Sequence, residues 1–99
     1  MDEKVRANLK NCENIIPFLK VVSNVTRLKI LCILSDGERR VGEIQEFLGA
    51  KQSYISQQLK YLKVRGYLNS RRNGTQIYYR LKEDTNFPDI IRAFKKLFA

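Results

Sequence analysis

The segment from residue 41 to residue 62, VGEIQEFLGAKQSYISQQLKYL, constrains the fold of this chain more than any other. Apolar residues with three- and four-residue spacing stand on each side of Gly49, and this spacing is typical of amphipathic helices. They are Val41, Ile44 and Leu48 before the glycine, and Ile55, Leu59 and Leu62 after it. The segment therefore predicts two short helices joined by a tight turn, a helix-turn-helix.

The second of these helices keeps a polar face clear of its apolar stripe. The side chains on that face donate and accept hydrogen bonds, and only one is charged: Gln52, Ser53, Tyr54, Ser56, Gln57 and Lys60. The major groove presents a pattern of donors and acceptors, so a helix that reads bases needs such a face. The pattern favours DNA contact, although any one of these residues would equally suit a solvated helix surface.

Composition indicates an anionic partner. With 99 residues, the chain predicts a single domain over residues 1–99, small enough to gain stability from a second chain. Its 19 Lys and Arg residues against 10 Asp and Glu give a formal charge of +9, which favours nucleic acid over membrane. The longest wholly apolar run, Ile30 to Leu34, is too short to cross a membrane.

The sequence also argues against several classes of chemistry. The N-terminal residues MDEKVRANLK contain no apolar signal core, and two cysteines without such a signal suggest reduced thiols in the cytoplasm. The chain contains no histidine, which removes the usual general base and the commonest metal ligand. No glycine-rich phosphate loop precedes a helix. We therefore expect no enzyme, no metal site and no cofactor.

The N-terminal region predicts an amphipathic helix that Pro17 disturbs. Its apolar residues step by four, three, four and three positions: Val5, Leu9, Cys12, Ile16 and Leu19. Either this helix kinks at Pro17, or a shorter helix begins near Asn14 with Pro17 in its first turn. A further helix, capped by Ser23 or Asn24 and closed by Gly37, contains the apolar run and is expected at the centre of the domain.

A β-hairpin and a last helix complete the predicted fold. Residues 67–72 and 75–81 read as strands, and Asn73-Gly74 between them is a strong hairpin-turn signal. The last helix is capped by Asp84, Thr85 or Asn86, with Pro88 in its first turn. The expected fold is mainly α with one hairpin, a winged helix-turn-helix in the order α-α-α-α-β-β-α.

The first and last helices are expected to pair two copies of the chain. The last helix carries five large apolar residues, which need more cover than a small domain supplies: Ile90, Ile91, Phe94, Leu97 and Phe98. A second copy packed against both end helices would bury them, which predicts a symmetric homodimer. The alternative is that one monomer fills both apolar stripes internally.

Three motifs resemble the ArsR/SmtB family of bacterial transcriptional repressors: SNVTRLKILCIL (23–34), VGEIQEFLGAKQSYISQQLKYLKVRGYL (41–68) and RRNGTQIYYRL (71–81). The sequence looks similar to the metal-independent branch of thiol- and persulfide-sensing members, the HlyU/BigR type, which carries a cysteine at the place of Cys32. Metal-sensing members place cysteine pairs or histidines where VGEIQEFL and FPDIIRAFKKLFA stand here, so both usual metal sites are missing. The second cysteine of the redox members falls near Ala99.

The cysteines leave two interpretations open. Cys32 lies in an apolar run, which is typical of an inert core thiol, whereas the resemblance implies a sensing thiol. Cys12 lies on the apolar stripe of the first helix. A redox switch between Cys12 and Cys32 would need their Cα atoms within about 7 Å.

Basic side chains around the polar helix and in the hairpin are expected to neutralise phosphates: Lys51, Lys60, Lys63, Arg65, Arg71 and Arg72, with Asn73 at the hairpin turn. The groove contacts are expected from Gln52, Ser53, Tyr54, Ser56 and Gln57. Together these features predict a dimeric repressor of a pseudo-palindromic operator, with an unknown effector. Two other classes stay open, a sequence-indifferent nucleic-acid coating protein and a winged helix that contacts only proteins.

Overall fold

A small antiparallel sheet lies against a set of helices. The computed structural model describes residues 2–83 and 85–99. Its elements are α1 (Glu3–Glu13), α2 (Ile16–Val22), α3 (Val25–Leu34), β1 (Arg39–Arg40), α4 (Val41–Leu48), α5 (Gln52–Val64), β2 (Leu68–Asn73), β3 (Gln76–Leu81) and α6 (Phe87–Leu97). Helices α4 and α5 form the helix-turn-helix, and β2 and β3 form the wing. The predicted winged helix-turn-helix fold is confirmed.

The N-terminal region forms two helices rather than one. Asp2 caps α1, because its Oδ1 accepts the backbone N–H of Lys4 at 2.8 Å. Helix α2 then begins at Ile16 with Pro17 in its first turn, where the missing N–H removes no helical hydrogen bond. Of the two alternatives, the shorter helix is therefore the one observed, and the described residues contain one helix more than the predicted order.

Helix α3 is the centre of the molecule, as its apolar run predicted. Asn24 caps it, since its Oδ1 accepts the backbone N–H of Arg27 at 3.0 Å. The helix contacts α2, α4, α5, α6 and β3. The buried apolar core around it consists of Val21, Ile30, Leu31, Leu34, Ile44, Ile55, Leu59, Leu62, Leu68, Leu81, Phe87 and Ile91.

The turn of the helix-turn-helix depends on one glycine. Helix α4 ends at Leu48 and is capped by Gly49, whose φ of 64° lies in the left-handed region that residues with a Cβ rarely adopt. The chain can therefore reverse direction within three residues and enter α5 at Gln52. Ile55, Leu59 and Leu62 of α5 are fully buried, so their spacing fixes which face of α5 points outward.

The wing differs from the predicted hairpin by one residue. Strands β2 and β3 pair antiparallel from Leu68↔Leu81 to Asn73↔Gln76. Asn73 therefore belongs to the ladder, and the turn consists of Gly74, at φ 63°, and Thr75. A glycine at the first of two loop positions is typical of hairpin turns. The sheet also contains a third strand that the sequence did not predict, β1, which pairs with β3 through Arg39↔Tyr79 and Arg40↔Tyr78.

Helix α6 closes the fold against α3. Asn86, one of the predicted caps, occupies the cap position without a side-chain hydrogen bond, and Oγ1 of the preceding Thr85 accepts the backbone N–H of Phe87 at 3.2 Å. Asp84 lies outside the described residues. Pro88 occupies the first turn, and Phe87, Pro88 and Ile91 are buried. Within residues 2–83 and 85–99, no helix has the length and apolarity to span a membrane.

Candidate nucleic-acid interface

The outward face of α5 is polar and exposed. At 3.6 residues per turn, the positions opposite the buried stripe are Ser53, Gln57, Lys60 and Val64. All four side chains are exposed, and so are Lys51 and Gln52 at the start of the helix. Hydroxyl, amide and ammonium groups therefore extend from α5 into solvent, with no other described element covering them.

One flank of α5 faces the wing. Gln52, Ser56 and Lys63 share this flank by helical spacing, and all three are exposed. The ammonium of Lys63 donates a hydrogen bond of 2.6 Å to Oγ of Ser70 on β2. Helix α5, the predicted recognition helix, and the wing are thus joined directly, so that they present one continuous surface.

The other flank of α5 faces α2 and α3. Four residues at four-, three- and four-residue spacing form this stripe: Tyr54, Gln58, Tyr61 and Arg65. The phenol of Tyr54 lies near Thr26 and Asn24, and these polar side chains, Thr26 chiefly, lower its pKa. Tyr54 was predicted as a groove contact. The structure places it at the edge of the outward face, near the N-terminus of α3 and still exposed.

The two predicted wing arginines have different surroundings. Arg71 donates to Glu38 through Nη2 at 2.6 Å and through Nε at 3.0 and 3.1 Å, and its guanidinium lies 4.5 Å from the Tyr78 ring centroid. Arg80 adds a longer contact of 3.9 Å to the same carboxylate. These bonds, chiefly the one from Arg71, lower the pKa of Glu38. The guanidinium of Arg71 is therefore already paired with a carboxylate of the protein itself.

Arg72 faces the other side of the hairpin. Side chains alternate along a strand, so Arg72 shares its face with Ser70, the residue that Lys63 contacts. Arg72 and Asn73 are exposed, and the described part of the chain offers neither side chain an ion pair or hydrogen bond. Arg72 is thus the wing arginine that lies on the side of the recognition helix.

Sequence reasoning missed Glu38, Gln58 and Tyr61. Glu38 gave no signal because its partner Arg71 is 33 residues away. The other two carried a usable signal, since Tyr54, Gln58, Tyr61 and Arg65 repeat at helical spacing beside the apolar stripe. This second stripe indicates that another element packs along that flank.

The two thiols do not share a disulfide. Cys12 is exposed on α1, and Cys32 is half-buried on α3. Burial raises the pKa of Cys32 more than the nearby Lys95 ammonium lowers it, which disfavours the reactive thiolate. Among the described residues, no group of three His, Cys, Asp or Glu side chains could hold a metal ion. Thiol sensing by Cys32 and Cys12 stays a prediction.

The sequence of this chain is similar to those of known bacterial regulators. Residues 24–70 match the family model described as bacterial regulatory protein, arsR family. A biofilm growth-associated repressor of Xylella fastidiosa is 40% identical over 90 residues, covering 91% of this chain and 78% of that protein. The transcriptional activator HlyU of Vibrio cholerae is 35% identical over 90 residues, covering 91% of this chain and 82% of the activator.

Solved structures share the fold. The transcriptional regulator HlyU of Vibrio vulnificus aligns with a TM-score of 0.87 at 30% identity, covering 97% of this chain and 99% of that one. A winged helix-turn-helix DNA-binding domain from Mycobacterium bovis, described as homodimeric, aligns with a TM-score of 0.71 at 28% identity. It covers 98% of this chain and 86% of that domain.

Proposed function

The chain belongs to the ArsR family of bacterial regulatory proteins, and on that premise we propose that it represses transcription as a homodimer on a pseudo-palindromic operator. Membership makes it a DNA-binding transcriptional regulator, and the relatives include a named repressor as well as a named activator. Repression, the operator symmetry and the individual DNA contacts are the proposal. The cytoplasm is the proposed location, and the proposed role is regulatory rather than catalytic.

The exposed outward face of α5 supports the proposal most. Ser53 and Gln57 supply hydrogen-bonding groups for base edges, while Lys60 supplies a charge for phosphate. Lys63 and Arg72 extend the basic surface from α5 to the wing. Lys51, Gln52 and Ser56 complete the contacts proposed for the helix, and Asn73 those for the wing. One shared core supports a single domain over residues 1–99.

Two observations support the homodimer. Helix α1 has 11 residues and none of them is buried, although Val5 and Leu9 form an apolar stripe. A helix of that length is marginal in water without packing. At the other end of the chain, Leu97 and Phe98 are 74% and 86% exposed. A second copy would cover both, and the Mycobacterium bovis relative is described as homodimeric.

A symmetric dimer carries two recognition helices. We propose that each enters one major groove, with half-sites about 34–36 Å apart on one side of the duplex. This arrangement distinguishes the repressor from a sequence-indifferent coating protein, for which the charge of +9 alone would suffice.

The contacts of α5 can be tested with paired variants. Gln57→Ala should lower the preference for an operator over random duplex by about 5- to 150-fold, because one good base contact contributes roughly 1–3 kcal/mol. Lys60→Gln should weaken binding to both duplexes and lower the salt slope by about 0.9. Lys29→Gln, which removes an exposed charge from α3, is the matched control and should change neither. If Lys60→Gln and Lys29→Gln changed the affinity and the salt slope equally, α5 would not belong to the DNA interface.

The dimer can be tested by light scattering. Leu9→Asp places a charge on the apolar stripe of α1 and should convert the dimer to a monomer, whereas Lys10→Asp, on the polar side, should not. A wild-type protein that remains monomeric at micromolar concentration would contradict the proposed symmetry.

Release of DNA by thiol modification is a further part of the proposal, carried by Cys32 with Cys12 as the second thiol. Mass spectrometry after polysulfide or peroxide treatment, with DNA binding measured in parallel, tests it. Unchanged affinity with both thiols modified would exclude this route and leave the effector unknown.

A further inference from the structure

Arg27 connects three helices through one side chain. It stands in the first turn of α3, and its guanidinium reaches back to the end of α2. There Nε donates to the carbonyl oxygen of Val21 at 2.8 Å, and Nη2 donates to that of Lys20 at 3.2 Å. Carbonyls in the last turn of a helix lack helical N–H donors, and a cation stabilises that negative end.

The same guanidinium contacts the recognition helix. Nη1 of Arg27 donates to Oε1 of Gln58 at 3.4 Å, and its Cζ lies 4.3 Å from the ring centroid of Tyr61. Arg65 also lies over this ring, at 3.5 Å. Gln58 and Tyr61 belong to the flank of α5 that faces α2 and α3. Arg27 therefore contacts α5 beside the outward face proposed for base contacts and not on that face.

Apolar packing does not fill the space between α2 and the C-terminal half of α5. A cleft of about 330 Å³ lies there, lined by Pro17, Lys20, Val21, Tyr61, Arg65 and Tyr67. Buried Val21 packs α2 into the core, but the cleft leaves part of the contact between α2 and α5 unfilled. The fixed geometry of a planar, multiply bonded guanidinium therefore adds a constraint on the distance between these helices. Arg27 contacts Lys20, Val21 and Tyr61, three of the residues that line this cleft.

We propose that Arg27 is a positioning residue that fixes the orientation of α5 relative to α2. The inference rests on the proposed function, because α2 exposes Ile16 and Leu19 next to the surface proposed for dimer formation. If α2 is held by the second copy, its orientation relative to α5 sets the separation of the two recognition helices. Arg27 thereby determines which half-site spacing the dimer accepts, without contacting DNA.

The distance between the two recognition helices of the dimer can be measured directly by pulsed electron–electron double resonance. The reference protein carries one nitroxide per chain at Gln57→Cys, in a background of Cys12→Ser and Cys32→Ser. It should give one narrow distance distribution between the two recognition helices of the dimer. Adding Arg27→Gln should broaden that distribution about twofold, because α5 loses its link to the end of α2 while the buried core remains. Lys29→Gln on the same helix removes the same charge and should leave the width unchanged.

Further variants keep the test independent of folding. Arg27→Lys keeps one donor and should recover part of the narrow distribution. Should Arg27→Gln fail to fold, Tyr61→Leu removes the ring beneath the guanidinium and is expected to broaden the distribution as well. A folded Arg27→Gln or Tyr61→Leu dimer with the reference width would overturn the inference alone. A reference protein without any dipolar signal would overturn the proposed dimer and the inference together.

Discussion

Arg71 and Arg72 are neighbours in the sequence with different environments. The carboxylate of Glu38 holds Arg71 through three short contacts, and the ring of Tyr78 lies beneath it. Arg72, on the opposite face of β2, shares the side of Ser70 and the recognition helix. Binding a phosphate would cost Arg71 its bonds to Glu38, whereas Arg72 has no such bond to break among the described residues.

The two arginines should therefore differ in their contribution to salt dependence. Arg72→Gln is expected to lower the slope of log affinity against log salt by about 0.9, the change for one lost phosphate contact. Arg71→Gln should change the slope much less, although both variants remove one charge. Titrations of one duplex at several salt concentrations measure this difference. Equal slopes for the two variants would contradict the assignment.

Glu38 makes the attachment of the wing sensitive to acid. Its pKa in the folded protein is lowered, chiefly by the hydrogen bond from Arg71. The stabilisation is therefore fully present above the unfolded pKa and is lost as the pH falls through the folded pKa. We expect the stability difference between wild type and Glu38→Gln to be constant above about pH 5 and to shrink toward pH 3.

Urea unfolding at each pH measures this difference. Glu46→Gln, at an exposed position of α4, is the control for removing a carboxylate. A difference between wild type and Glu38→Gln that grows as the pH falls would contradict the ion pair as the cause.

At the scale of elements, amphipathic spacing predicted α4 and α5 well, and the apolar run from Ile30 to Leu34 predicted α3. Each contributes buried apolar side chains to the core, and burial is the dominant stabilising contribution. Strand β1 escaped prediction because two arginines carry no alternation, and their pairing with β3 is set by the tertiary fold. The hairpin turn shifted by one residue because Gly74 alone supplies the positive φ. Pro17 permitted two helical arrangements, and the local sequence did not favour either.

Replacement by alanine should have opposite effects on stability at Gly42, inside α4, and at Gly49, which caps it. Gly49→Ala forces a Cβ into the left-handed region and should destabilise the protein by about 1–2 kcal/mol. Gly42→Ala lies inside the helix and should stabilise it by about 0.5–1 kcal/mol. Its added Cβ would meet only the mobile end of Arg40, at 3.3 Å. Urea unfolding at one protein concentration compares them, and equal signs would contradict this account of the turn.

At the scale of the whole molecule, the apolar surfaces at the two ends of the chain remain uncovered. The sequence already indicated this, since the last helix carries five large apolar residues and the first a long apolar stripe, which need more cover than a small domain supplies. The flank formed by Tyr54, Gln58, Tyr61 and Arg65 was harder to interpret, because Gln58 and Tyr61 contact Arg27 of another helix whereas Tyr54 and Arg65 are exposed. Which polar residues of a helix read bases depends on how its flanks pack, and helical spacing alone does not determine that.

A competition titration tests the central claim most directly. The purified protein binds a labelled duplex from upstream of its own gene, at physiological salt, against unlabelled random duplex. If α5 and the wing read sequence, the upstream duplex should be preferred by about 10³-fold or more. Equal competition by both duplexes would contradict sequence recognition and leave only the binding expected of a basic surface.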